Sequence, residues 1–176
     1  MRVVGYVREA VDPAEDRSAF AQQEEIRRFA AAHGLQVVAL CQDVRAPGRA
    51  LGREGYRSLL GVLSSGNAEA VLLPGVATLS SDLVVQEIML WDLRSRGARV
   101  LSTDPADLEI LGVSPPDPNR QLVRHVLARV AEHGALAATL PPPHPPAAPQ
   151  PAAPAGDDGV VVSLVGPEGS AQTPGP

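Results

Sequence analysis

The stretch Ala70-Val71-Leu72-Leu73-Pro74-Gly75-Val76-Ala77-Thr78-Leu79-Ser80-Ser81-Asp82 decides the fold. Ala70 to Leu73 has the length and apolar content of a buried strand. Pro74-Gly75 ends it, and a helical pattern begins near Asp82. In α/β folds the loop between the C-terminal end of a strand and the next helix is where chemistry is placed. Here that loop carries no charged residue before Asp82, so it offers no acid, base or cation.

Toward the N-terminus, Val3-Val4-Gly5-Tyr6-Val7 reads as another buried strand, followed at once by Arg8-Glu9-Ala10. Ser18 to His33 reads as a helix: Ser18 is the N-cap, Phe20, Ile26, Phe29 and Ala30 form an apolar face, and Gly34 is the stop. Gln36 to Leu40 gives a strand, and Asp43 opens a loop rich in Gly, Pro and Ala. Tyr56 to Ser65 gives a helix with Leu59, Leu60 and Leu63 inward and Gly66 closing it.

Toward the C-terminus, Asp82 caps a helix running to about Arg96. Its apolar residues, Leu83, Val84, Val85, Ile88, Met89, Leu90, Trp91 and Leu93, cover more than the one face a helix needs to sit on a sheet. Arg99 to Leu101 is the next strand. Pro115-Pro116-Asp117-Pro118 then leads rigidly into a last helix, Asn119 to about His133, striped by Leu122, Val123, Val126, Leu127 and Val130. Gly134 is expected to weaken that helix, and Pro141-Pro142-Pro143 to end it. The strand–helix alternation predicts a three-layer α/β domain over residues 1–140, with a mostly parallel central sheet and helices on both faces.

A chain of 176 residues suits one such domain. Aromatic residues are 3%, so the core must rest on Val, Leu, Ile and Ala. All 15 basic residues are Arg, and a net charge of −5 argues against an obligatory nucleic-acid coat. No apolar run is long enough to span a membrane, Met1-Arg2 leads directly into a strand, and the single Cys41 excludes an intramolecular disulfide. A cytoplasmic protein is expected.

Residues 141–176 are rich in Pro, Ala and Gly and carry Asp157, Asp158 and Glu168 without any Arg, which predicts a disordered acidic tail. Within it, Val160 to Val165 has strand character. It reads either as a sticky run or as a segment able to add to a sheet edge. His33, His125, His133 and His144 show no metal-ligand spacing, and no Gly-rich phosphate loop opens a helix; no metal or cofactor is expected.

The Ala70–Asp82 stretch resembles the hallmark loop of the serine recombinases, the resolvase and invertase family. There a strand runs into a basic residue and then Asp-Arg-Leu-Ser-Arg-Asp. Leu79, Ser80 and Asp82 match; Gly75 stands in place of the basic residue, Ala77 of the Asp, Thr78 of the first Arg and Ser81 of the second. The first strand is similar too, where the family has Tyr-x-Arg-x-Ser. The family's Ser attacks the DNA phosphodiester and its Arg helps hold the phosphate. Arg8 occupies the Arg position and Ala10 the nucleophile's, and Ala has no oxygen with which to form a phosphoseryl link. Ser18 is a poor substitute, lying beyond Asp12, Glu15 and Asp16, which repel a phosphate.

Gln22-Gln23-x-x-Ile26 resembles the family's first helix, and Pro47-Gly48 and Arg53-Glu54-Gly55 match its next loop. The resemblance puts Arg53 at a second phosphate-binding position; the plain alternative is a solvated loop arginine. In relatives the last helix is long, makes dimer contacts and leads to a DNA-binding module. The resemblance runs from Arg2 to Glu132. The surplus apolar residues of the Asp82–Arg96 and Asn119–His133 helices predict association through them, as a homodimer or with a partner protein, and the resemblance points the same way; the alternative is that the two helices bury these residues against each other within one chain.

The function implied is that of a catalytically silent recombinase-fold protein acting in association or regulation. One alternative is DNA strand exchange by a relocated nucleophile, which needs a Ser beside Arg8 with basic neighbours, a feature the sequence does not display. The other is a DNA-binding regulator, against which the acidic balance counts.

Overall fold

Four short segments form one parallel sheet in the order β2-β1-β3-β4. They are β1 (Arg2–Arg8), β2 (Gln36–Asp43), β3 (Ala70–Leu73) and β4 (Arg99–Ser102). The helices are α1 (Ala19–Ala32), α2 (Glu54–Ser64), α3 (Leu83–Ser95), α4 (Asp107–Leu111) and α5 (Pro118–Thr139). This computed structural model describes residues 1–11, 17–112 and 115–139. Asp12, Glu15, Asp16, the tail and its Val160–Val165 segment lie outside the described residues.

β1 and β3 sit at the centre of the sheet, in register with Val4 opposite Val71 and Gly5 opposite Leu72. Their apolar residues alternate between two cores. Val4, Tyr6, Val71 and Leu73 pack with Leu59 of α2 and Met89, Leu90 and Leu93 of α3. On the other face Val3, Val7, Ala70 and Leu72 pack with Ala19, Ile26 and Ala30 of α1. Covering on both faces is why these strands read as continuous apolar runs rather than as an alternation.

Several elements depart from the sequence-based expectation. Phe20 is 71% exposed. The inward line of α1 is Ala19, Gln22, Ile26 and Ala30, because the Gln22 amide exchanges hydrogen bonds with the Arg8 backbone. Ser18 does cap this helix, its hydroxyl accepting from the Ala21 N–H. β2 extends to Asp43, whose carboxylate accepts the Gly55 and Tyr56 N–H groups and so caps α2 from outside the helix. The contact is close: a Cβ on Gly55 would lie 2.3 Å from the Gln42 carbonyl oxygen.

The last helix runs on through Gly134 to Thr139, six residues past His133 and up to the prolines expected to end it. One glycine costs about 1 kcal/mol in a helix interior, too little to stop a 22-residue helix. Short α4 was not foreseen. α3 buries Met89, Leu90 and Leu93, leaving Val84 and Trp91 exposed, and Leu122, Val126 and Val130 of α5 are exposed as well. α3 and α5 lie against each other, joined by a buried carboxylate: Glu87, 1% exposed, receives Arg120 and Arg124. No helix among the described residues is long and apolar enough to cross a membrane.

Candidate active-site cleft

From β1 the chain crosses to β2 on one side, and β3 and β4 continue on the other. The gap beyond the C-terminal ends of β1 and β3 is therefore the topological switch point, where such sheets leave an open crevice. A cleft of about 500 Å³ occupies it, and its walls include Arg8, Ala10, Gly48, Ala77, Thr78 and Ser81. The fold thus brings together Arg8, Ala10, Gly75, Ala77, Thr78 and Ser81, six of the seven positions singled out in the sequence. Arg53 is the seventh, and it lies elsewhere.

Arg8 ends β1 and is 5% exposed. Its guanidinium turns to the loop after β3, with Nε donating to the Thr78 carbonyl at 3.0 Å and Nη2 to the Ala77 carbonyl at 3.3 Å. That loop is a 3₁₀ turn, Val76–Thr78. Asp107 anchors its start by accepting the Val76 N–H at 2.7 Å and the Ser102 hydroxyl at 2.6 Å. Gln86, buried on α3, donates to the Val76 and Ser80 carbonyls. Arg53 donates to the Leu79 carbonyl at 2.5 Å.

Each of five consecutive carbonyls, Val76 to Ser80, therefore accepts a side-chain donor. A buried carbonyl left unpaired costs about 1–3 kcal/mol, so these donors lock the loop in one conformation. Gln86 and Asp107 escaped the sequence reading because the backbone groups they bind, 10 and 31 residues away, are brought to them only by the fold.

Arg53 is not the solvated loop residue that was one of its two readings. Immediately before α2, it is 5% exposed. Its Nε is 4.0 Å from the Asp43 carboxylate, its Nη2 also meets the Met89 sulfur, and Nε and Nη1 have no hydrogen-bond partner among the described residues. Burial lowers its pKa. Asp43 meanwhile accepts the Tyr6 hydroxyl at 2.7 Å, and burial together with that bond pushes the Tyr6 pKa up. Arg53 does not border the cleft.

The fold also places a hydroxyl that the sequence did not associate with Arg8. A Cβ built on Gly48 would lie 3.0 Å from the Ser81 Oγ and 3.7 Å from the Arg8 guanidinium carbon, so all three crowd one spot. Ser81 is exposed and directly precedes Asp82, which caps α3 and pairs with Arg49 at 3.5 Å. Ala10, where the resemblance leads one to expect a serine, presents a methyl group to the cleft.

Residues 3–137 match the sequence profile of the Resolvase, N terminal domain family. The chain belongs to that family. Three solved structures resemble its resolvase domain in fold. The N-terminal catalytic domain of TP901-1 integrase is 17% identical with a TM-score of 0.55, over 78% of this chain and 98% of that one. The C-terminal catalytic domain of ISC1926 TnpA, an IS607-like serine recombinase, is 19% identical with a TM-score of 0.52, over 78% and 86%. A resolvase family site-specific recombinase from Streptococcus pneumoniae is 16% identical with a TM-score of 0.51, over 78% and 97%. No curated protein sequence matches the chain.

The resolvase domain thus shares the fold of these structures. Where the resemblance leads one to expect an Asp and two Arg side chains, this chain has Ala77, Thr78 and Ser81. Among the described residues, no group of three or more His, Cys, Asp and Glu side chains is placed to hold a metal ion.

Proposed function

We propose that this resolvase-family chain is catalytically silent and acts by associating with a second copy of itself or with a partner protein. The observation that carries the silent half is the state of Arg8. Its guanidinium is spent on the Ala77 and Thr78 carbonyls, while position 10 offers no nucleophilic oxygen. Phosphoryl transfer needs several convergent donors on the developing charge, and losing one such donor typically slows an enzyme by roughly 10²–10³-fold. Here the loop acid and both loop arginines are absent together.

The association half rests on the apolar side chains left outside: Val84 and Trp91 on α3, and Leu122, Val126 and Val130 on α5. The α5 residues recur every fourth position and the α3 pair is seven apart, so each set lies along one side of its helix, and the two helices are packed together; that arrangement supports an interaction surface. The substitution that tests it is Val126→Asp, since Val126 is half exposed whereas the neighbouring Leu127 is partly covered by the domain. Sedimentation with circular dichroism should show a self-associating wild type, or one that binds its partner, and a folded Val126→Asp monomer. A wild type that stays monomeric at high concentration and captures no partner ends the association half.

Strand exchange is kept as the second reading because Ser81 and Arg8 both border Gly48 in the cleft. Supercoiled plasmid incubated with the protein and quenched in denaturant decides between the two. Neither the wild type nor Ala10→Ser is expected to nick DNA or form a covalent adduct. Activity should require at least Ala77→Asp, Thr78→Arg and Ser81→Arg in addition to Ala10→Ser. Nicking by the wild type that Ser81→Ala abolishes would overturn the silent reading in favour of a relocated nucleophile.

A further inference from the structure

Glu87 on α3 is buried to 1% exposure, and both of its carboxylate oxygens are engaged by α5. Oε1 accepts from Arg120 at 2.7 Å and from Arg124 at 3.2 Å; Oε2 accepts from the Arg124 Nε at 2.7 Å. Arg124 also donates to the Gly112 and Ile110 carbonyls at the end of α4, and Arg94 of α3 to the Leu111 carbonyl. One carboxylate and three arginines thus tie α3, α4 and α5 together.

The apolar residues of α5 form two neighbouring lines four residues apart in sequence. Leu122, Val126 and Val130 face outward, while Val123 and Leu127 are half-buried against the domain. Adjacent helical residues are about 100° apart, so rolling α5 by one position would carry Leu122, Val126 and Val130 to where Val123 and Leu127 now sit and turn those two toward the side that Arg124 now occupies. Val and Leu fill both, and burial of apolar area has no direction, so hydrophobic packing discriminates weakly between the two settings. The ion network does discriminate. Such a roll would pull Arg120 and Arg124 away and leave the Glu87 charge buried and uncompensated.

We propose that Glu87 is a positioning residue: its pairing with Arg120 and Arg124 sets the rotation of α5 and so holds Leu122, Val126 and Val130 outward. The consequence for association rests on the reading above; the setting of the helix does not. Buried ionic groups are best attested in this role, fixing a register that apolar contacts leave open.

Single-cysteine probes in the full chain test it. Val126→Cys reports the outward line, Val123→Cys the inward one, and native Cys41, buried in the core, reports whether the domain as a whole opens. Thiol labelling in dilute solution, located by mass, should be fast at 126 and slow at 123 and 41. Adding Glu87→Gln should lower the rate at 126 relative to that at 123 by roughly 10-fold or more with Cys41 still slow, because stripping one partner from a buried pair frees the helix to reset. Arg124→Gln, which leaves Arg120 on Glu87, should give a smaller change.

Unchanged rates at 123 and 126 in Glu87→Gln would overturn the proposal. So would a Cys41 rate that rises in step with 123, because Glu87 would then support the whole fold rather than aim one helix. If Val126→Asp leaves association untouched while the Glu87→Gln labelling shifts, the association reading fails and the positioning role stands.

Discussion

Replacing Arg53 with Met should change stability by no more than about 2 kcal/mol in either direction, although Arg53 is a buried cation beside a buried carboxylate. Met keeps most of the volume, so the balance is electrostatic. Lost are the bond to the Leu79 carbonyl, worth about 1.5–3 kcal/mol for a charged donor, and the attraction to Asp43 across 4.0 Å, about 4 kcal/mol at an effective dielectric constant of 20. Relieved are the two unpaired donors Nε and Nη1, about 1–3 kcal/mol each, and a guanidinium desolvation of several kcal/mol. The two sides nearly cancel.

Asp43→Asn is the contrasting change. Asp43 serves the Tyr6 hydroxyl and the Gly55 and Tyr56 N–H groups, and removing its charge leaves Arg53 buried without a counter-ion. That should cost about 3–5 kcal/mol. Urea unfolding followed by circular dichroism gives both numbers, and the double variant gives their coupling. An Arg53→Met loss as large as that of Asp43→Asn would refute the reasoning: Arg53 would then be a main support of the core rather than a charge that it tolerates.

Two further outcomes follow from the same region. Burial raises the pKa of both Tyr6 and Tyr56, so above pH ~10 the unfolded chain loses protons that the folded one keeps. Stability should therefore fall as pH rises past that point, by about 1.4 kcal/mol per pH unit for each tyrosine; tyrosinate absorbance appearing near pH 10 in the folded protein would contradict this. Within α2, Gly55→Ala should destabilise by about 1–3 kcal/mol because its Cβ meets the Gln42 carbonyl. Gly61→Ala, with open space around it, should stabilise by about 0.5–1 kcal/mol, and thermal melts of the two variants should move in opposite directions.

The strands and helices were readable because each repeats a simple pattern. Ala70 to Leu73 and Val3 to Val7 are uninterrupted apolar runs, and such runs occur where a parallel sheet is covered on both faces. Asp82 and Ser18 announce their helices by capping chemistry that acts within three residues along the chain. The His133 bound of α5 was set too short because Gly134 was given more weight than a single glycine carries in a long helix, whereas the prolines from Pro141 were expected to end it. Phe20 was assigned inward on hydrophobicity alone, yet Gln22 takes the buried place for its two bonds to the Arg8 backbone.

The candidate site divides along the same line. The identity of the residues at the hallmark positions, Ala10, Ala77, Thr78 and Ser81, is a property of the sequence itself, and with it goes the absence of a nucleophilic oxygen at position 10. What the retained arginines do was decided by the tertiary structure. Arg8 reaches residues 77 and 78, some 70 positions away, and Arg53 reaches Leu79, 26 positions on. Ser81 meets Arg8 only across Gly48, and Glu87 gathers its arginines from 33 and 37 residues downstream. Local pattern records which groups a chain carries and which backbone they favour. A guanidinium satisfies its donors with whichever carbonyl or carboxylate the folded chain brings within about 3 Å, and no periodicity in the sequence encodes that choice.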